Sequence, residues 1–248
     1  MLIFKLERID GFVEATAVLA GISTRCHFKL SAAMFSLYVY HHSLRCNIAL
    51  QIMPPFFTTY NFFDQNPNSS FYIENFFRAL LNFQRSGCSS LSFALDHHLP
   101  RVELISEGSC LTQRVIELPL SPAEEKASTE IDYSVFVSID LQDFKPVATM
   151  FDRAPYVRVT LSHSGVRFAY EDEEITLTAQ RNECIVGGVG AGDSTQLILT
   201  PIPLTSFYNM TGHSKRVWIF KSNHKYSAVL TAPIGLYSTF FVYLPQLI

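Results

Sequence analysis

Several short stretches of this sequence have residue types that could do chemistry. Asp96-His97-His98 sets a carboxylate and two imidazoles in a row, the donor types that hold a divalent metal. A hydrolytic metal site needs further carboxylates at other strand ends, and this triplet runs straight into Leu99-Pro100, so it reads as a polar turn. His41-His42 ends a strand in the same way. Ser162-His163-Ser164-Gly165 offers a nucleophile and a base, but neighbours in a turn cannot reach each other as a proton relay requires. It reads as a hairpin turn, with no Gly-x-Ser-x-Gly elbow anywhere in the chain. Gly187-Gly188-Val189-Gly190-Ala191-Gly192 could present backbone N–H groups to phosphate. It lacks the spacing of a dinucleotide fingerprint and any Gly-Lys-Ser/Thr, and reads as a mobile loop between strands. The acids at 171–174 (EDEE) read as a solvated strand end, because paired catalytic acids face each other across a cleft. No catalytic residue, metal site or cofactor is therefore assigned.

The composition narrows the classes further. Of 248 residues, 48% are hydrophobic, and 21 Phe and 11 Tyr against one Trp favour packed sheet. A formal charge of −3 argues against a protein that wraps nucleic acid by bulk electrostatics. The five cysteines (26, 46, 88, 110 and 184) are odd in number and widely spaced, with no C-x-x-C, and read as small core residues in a reducing compartment. The N-terminal stretch mixes Lys5, Glu7, Arg8, Asp10 and Glu14 into its apolar residues, unlike a signal peptide, and no apolar run is long enough to span a bilayer. The expectation is an intracellular soluble protein.

The elements that would position these residues follow from periodicity. Residues 2–8 alternate as a strand; Asp10-Gly11 turns into a helix, FVEATAVLAG, that Gly21 ends. RCHFKLS, FSLYVYHH, LRCNIALQI and FFTTYNFF read as an antiparallel meander. Residues 71–87 form a helix with Ile73, Phe76, Phe77, Leu80 and Leu81 on its apolar stripe and Gly87 as its stop. SSLSFALD, PRVELIS and TQRVIELPL resume the alternation. A polar, acidic stretch, 121–131, reads as a linker. The order then repeats, offset by roughly 130 residues: a strand, a helix over 140–154, several strands, a second helix over 204–216, and closing strands that end in STFFVYLP. This predicts an α+β chain of two similar domains, 1–120 and 132–248, each with two helices on one face of antiparallel sheet. On those helices lie Arg78, Arg85, Lys145, Arg153, Lys215 and Arg216, which would converge on one face, opposed by Glu14, Asp140, Asp143 and Asp152.

The doubling, the acidic linker and the apolar closing strand together resemble a DNA sliding clamp subunit of the proliferating-cell-nuclear-antigen superfamily. Local stretches are most similar to the Hus-type subunit of the nine-one-one DNA-damage checkpoint clamp: Asp10-Gly11 then a helix and RCHFKLSAAMFSLYV, FFRALLNFQRSGCSSLSFAL, TQRVIELPLSP, DLQDFKPVATMFDRAPYVRVTLS and FFVYLPQL. The resemblance spans nearly the whole chain. Two departures stand out: the helices carry fewer Lys and Arg than clamps usually show, and the chain is short for the Hus type.

The resemblance implies the clamp fold and a non-enzymatic subunit of a heterotrimeric ring, with two Rad-type clamp subunits as partners, double-stranded DNA in a central channel and a clamp loader. It implies a nuclear location, recruitment of checkpoint and repair factors, and no membrane partner. The six cations named above would face DNA. The subunit interface would pair 111–118 with 174–181 of a neighbour, through Leu111, Thr112, Val115, Glu117, Ile175, Leu177, Ala179 and Arg181. A peptide groove under the linker would use Tyr40, Leu44, Leu120, Ile131, Leu244 and Pro245. The alternatives are a homotrimeric replication clamp and a small metal-dependent phosphoesterase using the 96–98 turn.

Overall fold

A computed structural model describes residues 1–42, 46–62, 69–95, 99–108, 113–122, 131–199, 207–208, 214–223 and 227–244. The fold is mixed α and β, with mostly antiparallel sheets and three helices among the described residues. The chain divides into two compact units, Met1–His41 with Ile48–Lys126, and His42–Asn47 with Ala127–Ile248.

The first unit runs β1 (Leu2–Leu6), α1 (Asp10–Ile22), β2 (Arg25–Leu30), β3 (Phe35–His41), β4 (Cys46–Ile52), a 3-10 turn (Pro54–Phe56), β5 (Thr59–Tyr60), β6 (Ser69–Tyr72), α2 (Ile73–Arg85), β7 (Cys88–Leu95), β8 (Arg101–Gly108), β9 (Gln113–Pro119) and β10 (Ser121–Pro122). One sheet is ordered β5-β1-β7-β8-β9, and the other runs from β10 through β6, β2 and β3 to β4. α1 buries Phe12, Ala15, Thr16 and Leu19, three or four residues apart, so one stripe of the helix faces the core. α2 does the same with Ile73, Phe76, Ala79, Leu80 and Phe83. The two helices lie against each other, and Gln84 Nε2 donates to Asp10 Oδ1 at 2.6 Å, tying the start of α1 to the end of α2.

The core of this unit explains the high phenylalanine content. Phe4 is fully buried in β1 and stacks on Phe93 of β7 at 4.9 Å, with Phe57 at 4.6 Å and Phe35 at 5.0 Å. Phe12 of α1 meets Phe4 edge-on at 6.0 Å, and Phe76 of α2 meets Phe12 at 5.8 Å. Strands and helices are thus joined through rings whose edge-to-face contacts add to the area they bury.

The second unit runs β11 (Ile131–Asp140), α3 (Leu141–Met150), β12 (Val157–Ser162), β13 (Gly165–Tyr170), β14 (Glu173–Thr178), a 3-10 turn (Ala179–Arg181), β15 (Cys184–Gly187), β16 (Ser194–Leu199), β17 (Arg216–Ser222), β18 (Ala228–Ile234) and β19 (Ser238–Tyr243). Its sheets are ordered β15-β11-β17-β18-β19 and β16-β12-β13-β14. Set beside the first unit, every pairing except that of β10 with β6 has its counterpart: β5-β1-β7-β8-β9 matches β15-β11-β17-β18-β19, and β6-β2-β3-β4 matches β16-β12-β13-β14. α1 and α3 each follow the first strand of their unit. Asp140 caps α3, its Oδ1 accepting from the Gln142 amide at 3.0 Å.

Several elements differ from the reading of the sequence. Asp10 and Gly11 form the first turn of α1 and not a turn before it, and Gly21 lies inside that helix, which ends when the Ser23 amide donates to Leu19 O. Phe71 and Tyr72 belong to β6, so α2 starts at Ile73; the β6 pairing with β2 claims their backbone first. Gly87 does close α2, at φ +69°, where a side chain would be strained. The meander holds for β2, β3 and β4, but β5 leaves it to pair with β1. α3 stops at Met150. Phe207 and Tyr208 are helical, the rest of 201–213 lies outside the described residues, and Arg216 stands in a strand. Within the expected linker, Ser121–Pro122 pairs with β6 as β10, Ile131 opens β11, and 123–130 lie outside the described residues.

Replacing Phe4 by Ala should destabilise the first unit by about 3–5 kcal/mol, the cost of a core phenylalanine. Phe240 of β19, 1% exposed, should lose roughly 3 kcal/mol or more on change to Ser. Urea unfolding of both variants measures this, and a loss under about 1 kcal/mol would contradict these placements.

Candidate functional site

The candidate chemical motifs have structural roles where they are described. Gly187 sits where a Cβ would meet the Phe136 ring at 2.3 Å, and Gly188, at φ +75°, where one would meet Ser134 O at 2.0 Å. These glycines let β15 pair with β11, so the front of the expected mobile loop is a strand. Ser162–Gly165 is the β12–β13 hairpin: Ser162 Oγ donates to Gly165 O at 3.2 Å, and a Cβ on Gly165 would meet Leu177 O at 2.2 Å. Residues 171–174 turn β13 into β14 with exposed carboxylates, and Glu171, at φ 50°, raises the Tyr170 hydroxyl pKa through a hydrogen bond. Asp96, His97 and His98 lie outside the described residues. Among the described residues, no three His, Cys, Asp or Glu side chains come together as metal ligands.

The cysteines described are free thiols. Burial pushes Cys46 up to about 12, and raises Cys26, Cys184 and Cys88 as well. Cys110 lies outside the described residues.

The cations expected on one helical face separate into three groups. Arg78 Nε contacts Glu74 Oε1 at 2.8 Å one turn back on α2, an exposed pair. Arg85 at the end of α2, Lys145 on α3, and Arg153 and Lys215 in the connections are exposed and make no ion pair among the described residues. Arg216 is a correction. It lies in β17, alternating with the buried Val217 and Ile219, and its side chain is spent on β11: Nε donates to Ser138 Oγ at 2.7 Å and Nη2 to Ser138 O at 2.9 Å. Ser138 is fully buried, so this guanidinium satisfies polar atoms that water cannot reach. α1 has Asp10 and Glu14 but no cation, so over the three helices the carboxylates Asp10, Glu14, Glu74 and Asp143 stand against Arg78, Arg85 and Lys145.

The expected assembly strands are both at sheet edges. β9 pairs only with β8, and β14 only with β13. β9 is mostly exposed and half of β14 is, whereas their counterparts in the other unit, β19 and β4, are mostly buried. On β9, Val115 is 51% exposed, and Glu117 Oε2 takes Arg101 Nη1 at 2.6 Å. On β14, Leu177 is buried and Ile175 half-buried. Ala179 and Arg181 are corrections: β14 ends at Thr178, whose amide donates to Glu183 Oε2, and the chain enters a 3-10 turn. Leu111 and Thr112 lie outside the described residues.

Of the expected groove residues, Tyr40 is half-buried in β3, and the Leu120 amide donates to Pro100 O at 2.6 Å, both in the first unit. Ile131 opens β11, and Leu244, 5% exposed, follows β19, both in the second. Leu44 and Pro245 lie outside the described residues.

The sequence reading missed an open cleft of about 620 Å³ between the end of α2 and β9, lined by Asn82, Phe83, Arg85, Ser86, Arg114, Val115 and Ile116. Arg114 in TQRVIELPL was the available signal, but only the fold brings it beside Arg85.

Arg216→Ala should cost about 1–3 kcal/mol, because it strips the partner from buried Ser138, while Lys145→Ala and Lys215→Ala should each stay within about 0.5 kcal/mol. Thermal unfolding compares the three. In the native protein at neutral pH, Cys88 should be alkylated before Cys26, Cys46 and Cys184; mass spectrometry after timed labelling reads the order. No family model matches the chain, and no curated protein matches it in sequence.

Proposed function

We propose that this chain is a non-enzymatic subunit of a heterotrimeric DNA sliding clamp with the clamp fold, most like the Hus-type subunit of a nuclear DNA-damage checkpoint ring. The observation that carries the reading is the duplicated topology that ends in two exposed strands, β9 in one unit and β14 in the other. A chain with an exposed edge strand of this kind in each unit can add a neighbour at each, and repetition of that contact closes a ring when the rotation permits. Exposed edges are otherwise an aggregation liability, which charges such as Arg114, Glu117, Glu173 and Glu174 moderate.

Cations on and beside the helices support loose contact with DNA. Arg78, Arg85, Lys145, Arg153 and Lys215 supply phosphate contacts without sequence preference, but the carboxylates on the same helices hold the net attraction low. A ring tolerates this, because topology retains it on DNA, and at cellular salt a Debye length of about 8 Å lets weak contacts exchange as it slides. Partner subunits supply further charge.

Mixed with two Rad-type clamp subunits, the protein should form a ring visible by negative-stain electron microscopy, and a clamp loader should retain it on circular DNA but not on linear DNA. Absence of both the ring and the retention overturns the reading. A stable trimer of this chain alone, found by native mass measurement, would reassign it to a homotrimeric replication clamp.

A further inference from the structure

The ladders of β9 and β14 determine which of their backbone groups a further strand can use. In an antiparallel pair, alternate residues turn N–H and C=O to the partner, and the residues between turn theirs away. The β13–β14 register sets Thr178 opposite Gly165, and one residue further the Ala179 amide donates to Ser164 O at 2.9 Å. Leu177, Ile175 and Glu173 therefore bond to β13, and Thr178, Thr176 and Glu174 turn outward. On β9 the Leu120 amide donates to Pro100 O, so Leu118, Ile116 and Arg114 bond to β8, and Pro119, Glu117, Val115 and Gln113 turn outward.

Both outward rows are closed at their C-terminal ends. On β9 the last outward residue is Pro119, which has no N–H to give. On β14 Thr178 has both groups, and Glu183 takes both. Its Oε2 accepts from the Thr178 amide at 2.8 Å and from the Thr178 hydroxyl at 3.4 Å, and its own amide donates to Thr178 O at 3.2 Å. A residue of a neighbouring strand would satisfy the same N–H and C=O. The turn that permits this is local: the Asn182 amide donates to Ala179 O across the 3-10 turn Ala179–Arg181, and Asn182, at φ 60°, brings the chain back beside β14. Asparagine is among the few residues that adopt this left-handed conformation readily. The other carboxylate oxygen, Oε1, faces Arg181 Nη1 at 3.9 Å, which leaves Oε2 to the strand.

We infer that Glu183 is a positioning residue for assembly: it stands in for the next strand at Thr178 and confines strand addition on β14 to Glu174 and Thr176, as Pro119 withholds the last donor on β9. The inference rests on the reading of β14 as an assembly edge. It adds that the partner segment there is short, bonded through the main chain of those two residues. The consequence is register. An open edge accepts a strand at several offsets of two residues, and a closed end removes those that run past Thr178.

Amide hydrogen exchange resolved to single residues tests it on the full chain, alone and with two Rad-type clamp subunits. In the isolated parent the Thr178 amide should be protected and those of Glu174 and Thr176 should not. In isolated Glu183→Ala the Thr178 amide should exchange about tenfold faster or more, whereas Glu183→Gln, whose side-chain oxygen can still accept, should stay near the parent. With the partner subunits, the parent should gain protection on β14 at Glu174 and Thr176 alone, and Glu183→Ala should gain it at Thr178 as well, as the neighbouring strand takes the freed amide. A turn with a merely structural role would not produce that last gain. Circular dichroism verifies that the variants fold. If Glu174 and Thr176 become protected but Thr178 stays protected in isolated Glu183→Ala, or gains nothing when that variant meets the subunits, the inference is overturned and β14 remains an assembly edge. If Glu174 and Thr176 gain nothing from the subunits, the reading of β14 as an assembly edge fails, and the inference with it.

Discussion

An antiparallel strand offers a row of N–H and C=O groups on each side, and each row must find a partner or face water. That demand organises the chain. Within each unit the strands pair in the same order, and β9 and β14 are among the edge strands with one neighbour each. The proposed assembly depends on those two rows, because they are where a further strand can be added without rearrangement of either core.

The cores make such edges usable. In the first unit the rings of Phe4, Phe93, Phe35 and Phe12 join both sheets to α1, and β8, the strand next to β9, buries Val102 and Leu104, so it is held by close packing and not by its ladder alone. In the second, Arg216 bolts β17 to β11 through Ser138. A cation that resembles a DNA contact in the sequence thus serves the sheet. What remains on the helices is close to neutral, which suits a protein held on DNA by enclosure and poorly suits one held by affinity.

Much of the strand content was legible because apolar and polar residues alternate with a period of two, as in RVEL of β8 and VRVTL of β12. The apolar stripe of α2 was equally clear. Boundaries were less so: FY before α2 has the composition of the helix, and only pairing with β2 turns it into strand. The Gly187–Gly188 stretch looked like a phosphate loop or a flexible link. Its glycines answer to the Phe136 ring and the Ser134 carbonyl, contacts between segments some fifty residues apart that no local pattern encodes.

The sequence by itself determined the α+β class, the doubling and the absence of a recognisable catalytic spacing, because periodicity, repetition and motif spacing are properties of the linear chain. Only the tertiary structure decided which cations are free and which are spent, and that Arg85 and Arg114, 29 positions apart in number, line one cleft. The physical reason is that an edge, a cleft and a buried partner are relations between strands. A residue's type sets what it can bond, but its neighbours in the sheet set whether that capacity is still available.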